Sequence, residues 1–307
     1  MKVIKRLLCL LLLLAIFIPC STECKIHSGE RLLGKLTKSY KYQLAACMMF
    51  QNEAFFLKEW IEYHKLIGFE HFYLFNNAST DNYWEILEPY VLSGEVELFD
   101  YQEQTTNQVD YLTLQCAKIY THALSLARGK VKWLAIFDAD EFIVPQKGFS
   151  LLKILKKYER YGGVYVDYLF FGTSHVEKVP EGRLIVETLN HCASKSMAFG
   201  KSIVRPERVS SCPDPHRMFY HPPYYHVDTN FETFDWAPSE AADDVLLIHH
   251  YYLGDIDHAL NVTFPRRKKW MGIEAHTYLE NLEWMNEREN NSMKRFVSEL
   301  REKVAAQ

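Results

Sequence analysis

No stretch of this 307-residue chain is long enough to cross a bilayer, since its longest apolar run, Leu7 to Ile18, falls short of the roughly 20 residues that a span requires. A basic excess is missing too. With 35 Lys and Arg against 39 Asp and Glu the formal charge is -4, and neutralising nucleic-acid phosphates requires clustered cations, so DNA and RNA are excluded as partners. The seven cysteines include no CxxC pair, which removes the usual zinc-ribbon and thioredoxin spacings. Repeats and low-complexity linkers are absent, and 13 Gly and 11 Pro are too few for a collagen-like or disordered chain. A composition that is 48% hydrophobic and 14% aromatic instead describes a folded globular body with a substantial core. Its length suits one large domain or two small ones.

The first residues have a composition of their own. Lys2, Lys5 and Arg6 precede the apolar run, and Pro19 with Cys20-Ser21-Thr22 closes it, in the order of a secretory signal. Residues 1–22 are therefore expected to be a signal peptide or a short membrane anchor, placing the body in the secretory pathway or outside a membrane. No Ala-x-Ala site is visible, and Pro19 is bulky for a lipoprotein site at Cys20. Removing the leader would take the charge from -4 to -7. Beyond it stand Cys24, Cys47, Cys116, Cys192 and Cys212, of which Cys192 and Cys212 could pair, while Cys47 and Cys116 read as buried thiols. Asn77, Asn261 and Asn290 begin N-x-S/T sequons.

From Tyr40 onward, apolar runs of strand length alternate with helical patterns. Leu44–Phe50 reads as a buried strand with Asn52 as the N-cap of the following helix, whose stripe Leu57, Trp60, Ile61 and His64 has helical spacing and stops at Gly68. His71–Phe75, Glu95–Tyr101 and Trp133–Phe137 read as further strands, separated by a helix to Leu92 and a long helix from Gln108 to Arg128. Such alternation predicts an α/β fold: an open, mostly parallel sheet with helices on both faces. Ligands bind there at the carboxyl ends of strands. Gln51-Asn52-Glu53, the turn Asn76 to Asp81, and Asp138-Ala139-Asp140-Glu141 all fall at such ends. Past Pro145 the pattern loosens. A helix from Ser150 to about Tyr161, strands at 164–171, 183–189, 201–204 and 243–252, and a charged helix from Thr277 to about Val304 are expected, with a Pro-, His- and aromatic-rich loop at 206–238. We read residues 40–304 as one domain, with a nucleotide-binding half and an acceptor-binding half.

Asp138-x-Asp140 is the most informative short feature. Two carboxylates after an apolar strand can hold a hard divalent cation that neutralises a diphosphate, and burying them beside Phe137 and Phe142 would be costly otherwise. The stretch Cys47 to Asp81, then Leu87-Glu88-Pro89-Tyr90 with Gly94, Gln115 and Trp133 to Ile143, resembles glycosyltransferase family 92 and, more widely, GT-A-fold glycosyltransferases. A sparser likeness continues through Lys201–Pro206, Pro215-His216 and His249–Tyr252 to Lys268. The resemblance implies a GT-A type domain that transfers a sugar from a nucleotide donor, usually a UDP-sugar such as UDP-galactose, to a glycan or glycoconjugate hydroxyl with inversion, using Mn²⁺ or Mg²⁺. Carried over by position, Asp138 and Asp140 form the D-x-D, Asn52, Glu53 and Asp81 lie near the nucleotide, and His250 or His249 adds a metal contact.

Lys201 and Arg205 are candidates, on charge, to offset a diphosphate. An inverting transfer needs a base beside the acceptor hydroxyl, and Asp214, Glu232, Asp235, Asp243 and Asp244 remain open for it. His64 reads as a packing residue. His216, His221 and His226 lack a usual zinc spacing, and the aromatics from Phe219 to Trp236 suit sugar stacking or packing equally. Two rival readings are a catalytically inactive glycan- or nucleotide-sugar-binding member of the same fold and an aspartyl-phosphate phosphatase, although the latter places its D-x-D after the first strand.

Overall fold

The computed structural model describes residues 39–103, 105, 107–271 and 279–306; the leader and Cys24 lie outside the described residues. The chain from Tyr40 onward forms a compact unit of its own. Its first half runs β1 (Tyr42–Phe50), α1 (Ala54–Ile67), β2 (His71–Asn77), α2 (Tyr83–Ser93), β3 (Val96–Tyr101), α3 (Gln108–Thr113), a π-helical turn (Leu114–Tyr120), α4 (Thr121–Ala127) and β4 (Val131–Ile136). The second half contains β5 (Glu141–Pro145), α5 (Leu151–Leu155), β6 (Gly163–Phe170), α6 (Ile185–Thr188), β7 (His191–Cys192) and β8 (Met197–Val204). After these come β9 (Val209–Asp214), β10 (Arg217–Tyr220), β11 (His226–Val227), β12 (Leu246–His250), α7 (Ile256–His258), α8 (Phe264–Met271), β13 (Arg288–Glu289) and α9 (Lys294–Ala305).

The main sheet has the order β3-β2-β1-β4-β8-β6-β12-β5, with β11 beside β6. Strands β3, β2, β1 and β4 are parallel. β8 runs against both of its neighbours, so β6 regains the direction of β4, and β12 is parallel to β6. The carboxyl ends of β1, β4 and β12 therefore share one rim. β5 is antiparallel to β12 and sets Glu141 opposite His250.

Alternation along β1 divides the interior. Leu44, Ala46, Met48 and Phe50 pack on α1 and α2, whereas Ala45, Cys47 and Met49 pack on the π-turn and α4; neighbouring side chains on a strand face opposite ways. Helices thus cover both faces. The same division corrects the expected Cys192–Cys212 pair: Cys192 packs in the first cluster and Cys212 in the second, both thiols are free, and Cys212 neighbours Cys116 instead. Asn77, in β2, is fully buried, which leaves the exposed Asn261 and half-buried Asn290 as the accessible sequons among the described residues.

Four local expectations are corrected, the first being the loop at 206–238, which carries β9, β10 and β11. Asn52 is not the N-cap of α1; Glu53 holds that position, and Asp81 Oδ2 accepts the Ala54 N–H at 2.8 Å. Residues 183–189 form the helical turn α6, because both carboxylate oxygens of the buried Glu59 accept its first N–H groups, from Ile185 and Val186. The described part of the 277–304 segment is interrupted by a 3₁₀ turn (Glu283–Asn286) and β13 before α9 begins.

Candidate active site

A cavity of about 440 Å³ opens at the shared rim, and its floor is the D-x-D between β4 and β5. The two aspartates face different partners. Asp138 Oδ2 accepts a bond from Lys201 Nζ at 2.8 Å, while Oδ1 accepts from Gln115 Nε2 at 3.5 Å and Tyr120 OH at 3.4 Å. Gln115 and Tyr120 come from the π-turn, whose irregular spacing turns both side chains toward β4; such turns recur at functional sites. Asp140 Oδ2 lies 3.2 Å from His250 Nε2.

Glu141, which had no assigned role in the sequence, completes the group. It is fully buried, accepts bonds from Tyr168 OH at 2.6 Å and the Asp138 N–H at 2.9 Å, and lies 4.0 Å from His250 Nδ1 and 3.8 Å from Lys201 Nζ. Ligand atoms of Asp140, Glu141 and His250 all lie within 4.8 Å of one another. Two carboxylates and an imidazole form a donor set suited to Mn²⁺, or to Mg²⁺ with more oxygen ligands. His250 Nδ1 is buried without a hydrogen-bond partner among the described residues, an orphaned nitrogen that a bound cation would satisfy in the neutral ring. The residues fit a divalent cation. His249 points to the other face, buried against Phe171 at 4.6 Å, and burial lowers its pKa to about 3.

Electrostatics at the rim follow from this crowding. Burial raises Glu141 to about 7, opposed by Lys201 and reinforced by Asp138. Burial acts against the charge on Asp140, but His250, Arg266 and Arg267 outweigh it and hold the carboxyl low. For Lys201, burial works against the ammonium while Asp138 and Glu141 push its pKa well up, so it is charged at any ordinary pH.

Glu53 lines the cavity and pairs with Arg266, with burial raising it to about 7. Arg266 and Arg267, both from α8, also line it, and Arg267 lies 3.8 Å from the centre of the Tyr252 ring. Neither arginine carried a signal in the sequence beyond its charge. Asn52 and Asp81 stand behind this wall: Asn52 Oδ1 accepts the Thr80 N–H at 2.7 Å, and Asp81 holds α1 as described. Arg205 lies off the cavity, its Nη2 on Tyr40 OH at 3.0 Å and its guanidinium over Trp133.

None of the five candidate bases lines this cavity. Asp214 Oδ1 accepts the His216 N–H at 2.8 Å, the Glu232 N–H is bound by Asp228 at 2.9 Å, and Asp243 accepts from Ser196. Asp244 is exposed, and Asp235 lines a different cavity. His216 does line the rim cavity. Its ring lies 4.2 Å from that of Phe199, and its Nδ1 lies 3.0 Å from Gly200 O. Burial and then Lys201 lower its pKa to about 4. His64 is a packing residue, with Nδ1 2.7 Å from Trp60 O.

Sheet order, the helices on both faces and the acidic rim define an α/β protein of GT-A type. The sequence model of glycosyltransferase family 92 matches residues 42–234, and the chain belongs to that family. It is 30% identical over 204 residues to a glycosyltransferase family 92 protein of Ricinus communis, a match covering 63% of this chain and 33% of that one. A galactan beta-1,4-galactosyltransferase of Arabidopsis thaliana is 28% identical over 117 residues, 37% of this chain and 22% of its own. The chain thus spans about a third or less of these curated relatives. Among solved structures, TarS of S. aureus in complex with UDP is 13% identical with a TM-score of 0.36, covering 53% of this chain and 47% of that one.

Proposed function

We propose that the chain is a metal-dependent glycosyltransferase that moves a sugar from a nucleotide-sugar donor, a UDP-sugar by the family's chemistry, to a glycan hydroxyl with inversion, and that it acts in an exported setting. The observation carrying this reading is the convergence of Asp140, Glu141 and His250 in one cavity with the cationic Lys201, Arg266 and Arg267. Asp140, Glu141 and His250 would hold the divalent cation, which supplies positive charge to a leaving diphosphate. Arg266 and Arg267 add fixed charge of the same sign, and Lys201 holds Asp138 in place.

His216 is our assignment for the base. With Nδ1–H donated to Gly200 O, its Nε2 keeps a lone pair, and the lowered pKa keeps the ring neutral at pH 7. The acceptor oxygen forms its bond to the anomeric carbon, the bond from that carbon to the diphosphate breaks with its electron pair, and the hydroxyl proton passes to His216 Nε2. A screen of nucleotide sugars for donor hydrolysis, with and without Mn²⁺, tests the reading. Asp140→Asn should keep the fold and remove Mn²⁺-dependent UDP binding in calorimetry. Undiminished transfer by that variant would overturn the metal role, and metal-independent binding with no turnover of any donor would favour an inactive sugar-nucleotide-binding protein.

A further inference from the structure

A second cavity, of about 700 Å³, lies along β10 and the loop that follows it, lined by Arg217, Phe219, Tyr220, Tyr224 and Tyr225 on one side and Thr233 to Asp235 on the other. Large aromatic side chains are exposed in it and beside it: Phe219 at 47% and Tyr225 at 50% line it, and Trp236, next to Asp235 in sequence, is 71% exposed. Rings left open to solvent in one patch mark an interaction site. The polar groups among them are not satisfied within the fold. Arg217 is buried and stacks on Trp236 at 4.0 Å, yet its Nε and Nη1 have no hydrogen-bond partner among the described residues. Buried donors without partners are costly, and in native proteins each calls for an explanation.

We infer that this cleft is a subsite for a neutral glycan chain, the acceptor of the proposed transfer, on which reading the inference rests. Three features select that occupant. Flat rings offer faces to the C–H surfaces of sugar rings, while the exposed Tyr224, Tyr225 and Thr233 hydroxyls offer hydrogen bonds to the ligand. The cleft's cation and anion, Arg217 and Asp235, offset one another, so nothing favours an acidic or basic ligand. The hairpin of β9 and β10 also borders the rim cavity, because Pro215 and His216 line that cavity and Arg217, the next residue, lines the cleft. A chain whose end reaches His216 would continue over the aromatics.

Calorimetry of the full chain with β-1,4-linked galacto-oligosaccharides, from disaccharide to hexasaccharide, without donor or metal, tests the cleft alone. Affinity should rise with length, and Trp236→Ala and Phe219→Ala should each lower hexasaccharide affinity about tenfold, the scale of one aromatic contact. Metal-dependent donor hydrolysis should be unchanged in both variants. A cello-oligosaccharide series distinguishes sugar identity from general stacking, and binding of either series with loss in the variants supports the site. Length-independent affinity, variants that bind as tightly as the wild type, or self-association through the patch in sedimentation would overturn it. Because the binding measurement needs no turnover, a failed donor screen with intact oligosaccharide binding would refute the transferase reading and leave the subsite standing.

Discussion

Lys201→Met separates the structural from the chemical part of the rim. Lys201 is 2% exposed and holds Asp138 at 2.8 Å and Glu141 at 3.8 Å. Methionine preserves most of the side-chain volume but removes the charge, leaving the fully buried Glu141 and the one-third-exposed Asp138 with no lysine between them. Breaking a buried ion pair by removing one partner costs about 3–5 kcal/mol. In urea unfolding the variant should lose that much at pH 7. A divalent cation brought into the same cluster would replace part of the missing charge, and a ligand at a hundred times its dissociation constant adds about 2.7 kcal/mol to a folded state. Mn²⁺ should therefore recover more of the variant's stability than it adds to the wild type. A loss below about 1 kcal/mol would refute the claim that Lys201 neutralises this cluster, and a full loss with no recovery in Mn²⁺ would refute the claim that the cation shares it.

Further outcomes follow from single contacts. His250→Ala should weaken Mn²⁺ binding at least tenfold with little change in melting temperature, whereas His249→Ala, which empties a packed site against Phe171, should lower stability by about 2 kcal/mol and leave metal affinity alone; calorimetry and thermal melts on both variants check this. Gly200→Ala would place a Cβ 1.8 Å from the Val166 carbonyl oxygen, so β8 must shift at a cost of about 3 kcal/mol or more, read in the same urea unfolding. Burial raises Glu59 to about 7 from an ordinary 4.5; the folded chain then keeps a proton that the unfolded chain has released. Stability should fall as pH rises from about 4.5 to 7, and Glu59→Gln should flatten that slope by up to one proton. A steeper slope in the variant would contradict the assignment.

The first half of the fold was legible because its signals are local. Each strand from β1 to β4 is a short apolar run bounded by a polar turn, and α1 shows its stripe within four turns, so order and direction follow from pattern alone. What the pattern missed depends on residues far apart in sequence. Asn52 looked like a cap because its type suits one, but its φ of 57° turns it out of that role and Asp81, 27 residues beyond Ala54, accepts the Ala54 N–H instead. The segment 183–189 has strand-like residues, yet Glu59 from α1 supplies both acceptors that begin a helix there.

The site divides along the same line. Asp138 and Asp140 stand out because acids after an apolar strand are costly without a partner, and that argument needs no partner to be named. Lys201 and Arg205 looked equivalent by charge. They are four residues apart on or just past a strand that runs away from the rim, which puts Arg205 roughly 13 Å farther from it. Strand direction decides between them, and direction is a property of pairing. Glu141 was hidden for the same reason. It follows Asp140 directly, and reading the sheet as parallel gives it no neighbour; only the antiparallel register of β5 on β12 sets it across from His250. The proposed acceptor side of the site is the least local of all, since His216 reaches the rim from a hairpin whose position depends on β8 reversing the sheet. A sequence in which the first four strands can be read one by one, and the second half only after one antiparallel strand is placed, shows no candidate at His216 until that strand is known.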